Sequence, residues 1–196
     1  PTPAPNQRVL DYKEQILTLR GDIEAKGGTT TLDAELRKRS LKLANLMGAI
    51  DESELGKATK IIQHQYGGWA FLMGVSSFGE IPPENITAAS RINYATKAVT
   101  EFDQAPALMV DITHDYRAGD PAATPFFEWM TGYSDDLNRT HYLKAIALAV
   151  IARAGGGTSK AVIAELSAIE RDYLAMFPPE NNPDLAVTRF EPGVND

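Results

Sequence analysis

The residue types and spacing closest to chemistry lie in Asp111-Ile112-Thr113-His114-Asp115. Two carboxylates and an imidazole stand at i, i+3 and i+4, so a helix would carry all three on one face. Such a face can ligate a divalent metal, or let a carboxylate orient the imidazole as a general base. A di-metal bundle, however, needs a second motif of this kind and two further carboxylates on other helices. The nearest partner is Asn138-Arg139-Thr140-His141, where an amide stands in the carboxylate position. Asp111, His114, Asp115 and His141 are therefore candidate binding residues. No catalytic residue, metal ligand set or cofactor is assigned, and the plainer reading of Asp111–Asp115 is a helix surface with local charge pairs.

Other polar groups offer less. Asp135-Asp136 with Asn138 resembles the acidic metal motif of terpene cyclases, but those folds need a larger helical barrel, and a helix N-cap explains the two acids better. His64 stands alone between Gln63 and Gln65, which reads as an exposed ring or one with a single hydrogen bond. Ser76-Ser77 has no nearby His and lacks the glycine-flanked turn of a hydrolase nucleophile. Gly155-Gly156-Gly157 lacks the Lys and the preceding strand of a phosphate loop. The aromatics Tyr66, Trp69 and Phe71, and Phe126, Phe127 and Trp129, read first as core. Tyr66 and Trp69 are kept as binding candidates, because an exposed aromatic set would mark a partner groove.

Composition narrows the partners. The chain has 196 residues, a net charge of −7 and no basic block, which argues against a nucleic-acid backbone or an anionic membrane surface. No apolar run reaches the roughly 18–20 residues that span a bilayer. Cysteine is absent, which removes disulfides and thiolate chemistry. Pro1-Thr2-Pro3-Ala4-Pro5 reads as a stiff extended linker over residues 1–6, and such a tether tips the expectation toward an exported or periplasmic protein over a cytoplasmic one.

Residues 7–177 read as one soluble all-α domain of about eight helices, with residues 178–196 as an irregular tail. Val9, Tyr12, Ile16, Leu19 and Ile23 recur at three and four along a first helix from Gln7 to Lys26, closed by Gly27-Gly28. A second runs from Leu32 to Ile50 on Leu32, Leu36, Leu43 and Met47, with Arg37, Lys38, Arg39 and Lys42 on a solvated face. Asp51 and Glu54 suggest a cap for a third, on Leu55, Ala58, Ile62, Tyr66, Trp69 and Met73, with a kink or a close helix approach at Gly67-Gly68. Pro82-Pro83 precedes a fourth helix from Glu84 to Phe102, and Pro106 begins a fifth that ends at Ala118-Gly119-Asp120-Pro121. Thr124-Pro125 opens a short sixth. The seventh, Asp136 to Ala154, is apolar nearly all round and reads as central. The eighth, Ser159 to Phe177, is amphipathic through Val162, Leu166, Ile169, Tyr173 and Phe177. Period-two alternation never persists, so no strand is expected.

The helices fall into antiparallel pairs beginning near residues 8, 54, 105 and 137, a mean spacing of about 40. In the last pair Leu148-Ala149, Gly156, Ala161 and Ala168 resemble the tetratricopeptide repeat at its first-helix Leu and small residue, its turn and its two second-helix small positions. Glu165 departs from that pattern, at a position where the repeat carries an aromatic. The resemblance implies a solenoid of helix pairs that binds a protein or peptide; an irregular helical bundle is the competing architecture.

The leading expectation is accordingly a non-catalytic interaction module with a protein or peptide partner, its acidic surface suited to basic or extended segments. The alternatives are a metal-dependent protein using Asp111, His114 and Asp115, and a small-ligand carrier with a cavity between helices five to seven.

Overall fold

A computed structural model describes residues 2–26, 30–76, 86–123 and 133–176. Every regular element in them is helical: α1 (Pro5–Lys26), α2 (Thr30–Gly48), α3 (Lys57–Met73), α4 (Ala88–Arg117), α5 (Tyr133–Arg153) and α6 (Ser159–Met176), with 3₁₀ turns at Glu52–Glu54 and Pro121–Ala123. The all-α class therefore holds. The expected short helix at Thr124–Met130, the Pro82-Pro83 boundary, Gly27-Gly28 and the tail 178–196 lie outside the described residues.

The apolar stripes explain why these segments are helices. In α1, Val9, Ile16 and Leu19 are buried and Tyr12 and Ile23 half-buried, the 3–4 spacing read from sequence. Pro5 sits in the first turn, where a missing N–H is harmless. In α2 the buried face is Leu36, Leu43 and Met47. Arg37 leaves the solvated face expected for it. It is 5% exposed, and its guanidinium donates to the carbonyls of Met73 (2.7 Å) and Ser76 (2.8 Å) beyond the end of α3. Those carbonyls have no acceptor role left inside a helix that has ended, so a buried cation there satisfies both sides. Gln63 does the reciprocal service from α3, donating to the carbonyls of Met47 and Ile50 at 2.9 Å each.

Besides the earlier starts of α1 at Pro5, inside the expected linker, and of α5 at Tyr133, three boundaries differ from expectation. Asp51 caps the 3₁₀ turn rather than α3, accepting from the Ser53 N–H, and α3 starts after Gly56. Gly67-Gly68 does not interrupt α3; it provides the close approach. A β-carbon on residue 68 would lie 2.7 Å from the Phe102 ring, whereas on residue 67 the nearest atom would be Met47 Sδ at 3.8 Å.

The third difference is Pro106, which starts no new helix. α4 runs for 30 residues straight through it. An interior proline forfeits a hydrogen bond and costs about 3 kcal/mol. Phe102, Met109 and Ile112, all at most 1% exposed, flank it on one face, and each contributes about 1.5–3 kcal/mol by burial. Breaking the helix at Pro106 would split that face, so burial outweighs the lost bond.

Packing follows chain order. α2 lies on α1 and α3, α3 on α4, α4 on α5, and α5 on α6, while α1 also reaches α3 and α4 reaches α6. One core runs through α1–α5, and a smaller cluster of Ala58, Ile61, Ala105, Met109, Ile112, Ala123 and Leu137 closes the far side of α3–α4–α5. No described helix is long and apolar enough to cross a membrane.

The two glycines make a paired test. Gly68→Ala is expected to lower the unfolding free energy by about 1–3 kcal/mol through overpacking against Phe102. Gly67→Ala, which meets nothing closer than van der Waals contact, is expected to raise it by up to about 1 kcal/mol. Urea unfolding of the two variants reads both signs.

Candidate functional site

The densest polar cluster lies between α5 and α6. His141 is buried on α5, and both its ring nitrogens face carboxylates of α6: Nδ1 is 2.5 Å from Glu165 Oε1 and Nε2 is 2.8 Å from Asp172 Oδ2. The ring is fully hydrogen-bonded only when both nitrogens carry a proton. One turn along α5, Lys144 Nζ contacts the other Glu165 oxygen at 2.5 Å and Asp103 of α4 at 2.6 Å. Arg171 closes on Asp172 through Nε at 2.7 Å and a second nitrogen at 3.0 Å. Three basic groups thus meet three carboxylates, and three helices are tied together.

Local geometry explains the convergence. His141 and Lys144 are three apart on α5, and Ala161, Glu165, Ala168 and Asp172 follow 4–3–4 spacing on α6. The acids fall opposite the bases of α5, and the alanines line the cleft beside them. Leu166, expected inside, is 44% exposed while Glu165 is 8% exposed, so the buried face of α6 is turned by one residue from its apolar stripe.

Electrostatics follows from burial. Desolvation opposes ionisation of Glu165, but hydrogen bonds from His141 and Lys144 outweigh it and hold its carboxyl below the usual range. Asp172 is likewise desolvated yet held low, chiefly by Arg171 and then His141. For Lys144, desolvation is outweighed by Asp103 and Glu165, which raise its ammonium above the usual lysine value. Beside the network a cleft of about 630 Å³ opens, walled by Val99, Phe102, Pro106, Leu148, Ala161 and Ala168. Both ring nitrogens of His141 are taken up by carboxylates of α6. The arrangement suits a clamp that fixes the register of α6 on α5 and α4.

The other sequence candidates are placed elsewhere. Asp111 is exposed and Asp115 half-buried, and both turn to Lys57 of α3: Nζ is 2.7 Å from Asp111 and also bonds Asp115. Those contacts, Asp111 first, raise the Lys57 ammonium above its usual value. His114 is exposed on the same helix. His141 is not brought to this face, since its partners are on α6. Among the described residues, no group of three or more His, Asp and Glu side chains is placed to hold a metal ion. Trp69 is 4% exposed, and Tyr66 packs beside it with ring centroids 5.8 Å apart; Arg20 lies over the Trp69 ring and Lys13 over that of Tyr66. Asp135, Asp136 and Asn138 have no described side chains. His64, expected exposed or singly bonded, is buried between Glu101 (2.7 Å) and Glu52 (3.2 Å).

Sequence reasoning noticed Glu165 only as a departure from a repeat and did not single out Lys144 or Asp172. The signal was present: acids at 165 and 172, on a face otherwise of alanines, opposite a His and a Lys one turn apart. Comparison with family models, curated proteins and solved structures gives no match.

Removing His141 leaves two buried carboxylates short of a partner, so His141→Ala is expected to lower the unfolding free energy by about 3 kcal/mol. His114→Ala, on an exposed ring, is expected to stay within about 0.5 kcal/mol of wild type. Chemical denaturation separates the two.

The pH dependence has a definite sign. Glu165 and Asp172 ionise more easily folded than unfolded, so their stabilisation is complete above the ordinary carboxyl range of about 4 and fades as pH falls through their lower folded values. The stability gap between wild type and Glu165→Gln is therefore expected to shrink on acidification below about pH 4, measured by urea unfolding across the pH series. Lys144 acts oppositely: its contribution is complete below the ordinary lysine value and fades as pH rises through the higher folded one.

Proposed function

We propose that this chain is a helical interaction module that binds a protein or peptide segment across the faces of stacked helices. The observation that carries the reading is the packing order: substantial contacts join helices close in the chain, and α1 and α2 do not pack extensively on α5 or α6. Layers joined this way form an open stack, in which neighbouring helices leave long grooves, whereas a closed bundle folds its last helices back on its first. The resemblance of α5–α6 to a tetratricopeptide hairpin supports the same reading, with Gly156 at its turn against Ile92 of α4. In that view the helix pairs are a degenerate repeat whose middle pairs are merged by the long α4.

The polar clusters fit the same role. Glu165 with His141 and Lys144, Asp111 and Asp115 with Lys57, and Glu52 and Glu101 with His64 are each spent on joining one helix to another.

A second reading is a small-ligand carrier, favoured by the cleft beside His141, which combines an apolar wall with a charged end. The experiment that separates the two is purification of the full chain from its native source under native conditions. The module reading expects one reproducible protein partner that binds the purified chain directly and protects helix amides from hydrogen exchange. A small molecule retained in native mass spectrometry, with no reproducible protein partner, overturns it in favour of the carrier.

A further inference from the structure

Charge on this protein is unevenly placed. The chain carries −7 overall, yet the outer face of α2 presents Lys38, Arg39 and Lys42 within five residues, all exposed. These three make no hydrogen bond or ion pair with the described residues, in contrast to Lys57, Lys144 and Arg171, which are all bound to carboxylates. Beside them lies a shallow, open groove of about 690 Å³ along α2, with Leu41, Leu46 and, from α4, Tyr94 as its apolar lining. Leu46 is 38% exposed, and Leu41 packs where a β-carbon on Gly74 would stand. At Asn45 this groove meets a second cleft of about 410 Å³ that continues to Gly48 and Phe71. Lys97 flanks the junction, its ammonium 5.2 Å from the Tyr94 ring centre and 5.7 Å from that of Phe71. Glu35 is the single acid lining the first cleft, and Glu101 that of the second, where it is already bound to His64.

Resting on the interaction-module reading, we propose that this α2–α4 groove receives an acidic amphipathic helix of a partner protein. The occupant follows from shape and charge. The combined groove spans residues 35–48 of α2, about 20 Å at 1.5 Å per residue, the length of a helix of about four turns. No strand edge exists among the described residues for an extended peptide to pair with, so a helix seated between two helices is the mode that satisfies its own backbone. Apolar residues at i, i+3, i+4 and i+7 would meet Leu41, Leu46 and Tyr94, and Asp or Glu on the flanks would meet Lys38, Arg39 and Lys42. A nucleic-acid strand or an anionic bilayer fits less well, because the positive charge is a patch of few groups on an acidic protein.

The test titrates the full chain against four fluorescent probes. They are an amphipathic peptide of about 18 residues with leucines at helical spacing and glutamates elsewhere, its lysine counterpart, single-stranded DNA, and phosphatidylcholine–phosphatidylserine vesicles. The acidic peptide is expected to bind. Binding should weaken at least tenfold in Lys38→Glu/Arg39→Glu/Lys42→Glu, and separately in Leu46→Ser, which changes no charge, with circular-dichroism melting preserved in both. Equal binding of the lysine peptide, binding of DNA or vesicles alone, no binding of the acidic peptide, or indifference to either variant overturns the proposal. The interaction-module reading fails separately: a native partner whose hydrogen-exchange footprint spares α2 and α4 retains that reading and removes this site.

Discussion

The ring of Phe102 lies where a β-carbon on residue 68 would stand, and that contact sets how closely α3 and α4 run. α3 is the most deeply buried helix described in full, and α4 is the longest; every other helix packs on one or both. With an alanine at 68, either Phe102 leaves the core or the two axes part, and the separation would pass to α2 on one side and α5 on the other. Close-packed interiors transmit such shifts because they hold little free volume. The interior proline belongs to the same constraint: α4 remains helical through Pro106 because the residues on both sides of it are committed to α3 and α5.

Around this pair the protein uses charge as an internal fastener. Three sites at two interfaces place basic side chains between carboxylates, α3 on α4 at Lys57 and at His64, and α5 on α6 at His141 with Lys144. Such pairs add little net stability over apolar ones, but they tolerate only one register. The face of α2 is arranged differently. Its buried cation, Arg37, holds the end of α3, and its exposed cations face outward over an apolar groove.

Much of this fold was legible in the sequence, because apolar periodicity reports which side of a helix is buried. The stripe of α1 and the extents of α5 and α6 were readable to within a few residues, and the glycine pair in α3 announced a close approach. Three features were hidden for a common reason. Pro106, Glu165 and Arg37 each violate a local preference, and each is stabilised through groups distant in sequence: the α3 and α5 side chains that bury the residues flanking Pro106, the bases of α5, and the carbonyls at the end of α3. Local rules expect a break, an exposed acid and an exposed base at such positions. His114 stood in the more suggestive motif, while His141, beside an amide, gained its partners from α6.

The chain-ordered packing also has a kinetic side. When each helix docks on those just before it, the loops closed at each step are short and the entropic barrier to each step is low. The first three helices, with Arg37 and Gln63 tying their ends, form a unit that can consolidate on a growing chain before α5 and α6 have been made. The His141 clamp then acts last, joining the final hairpin to a layer already in place.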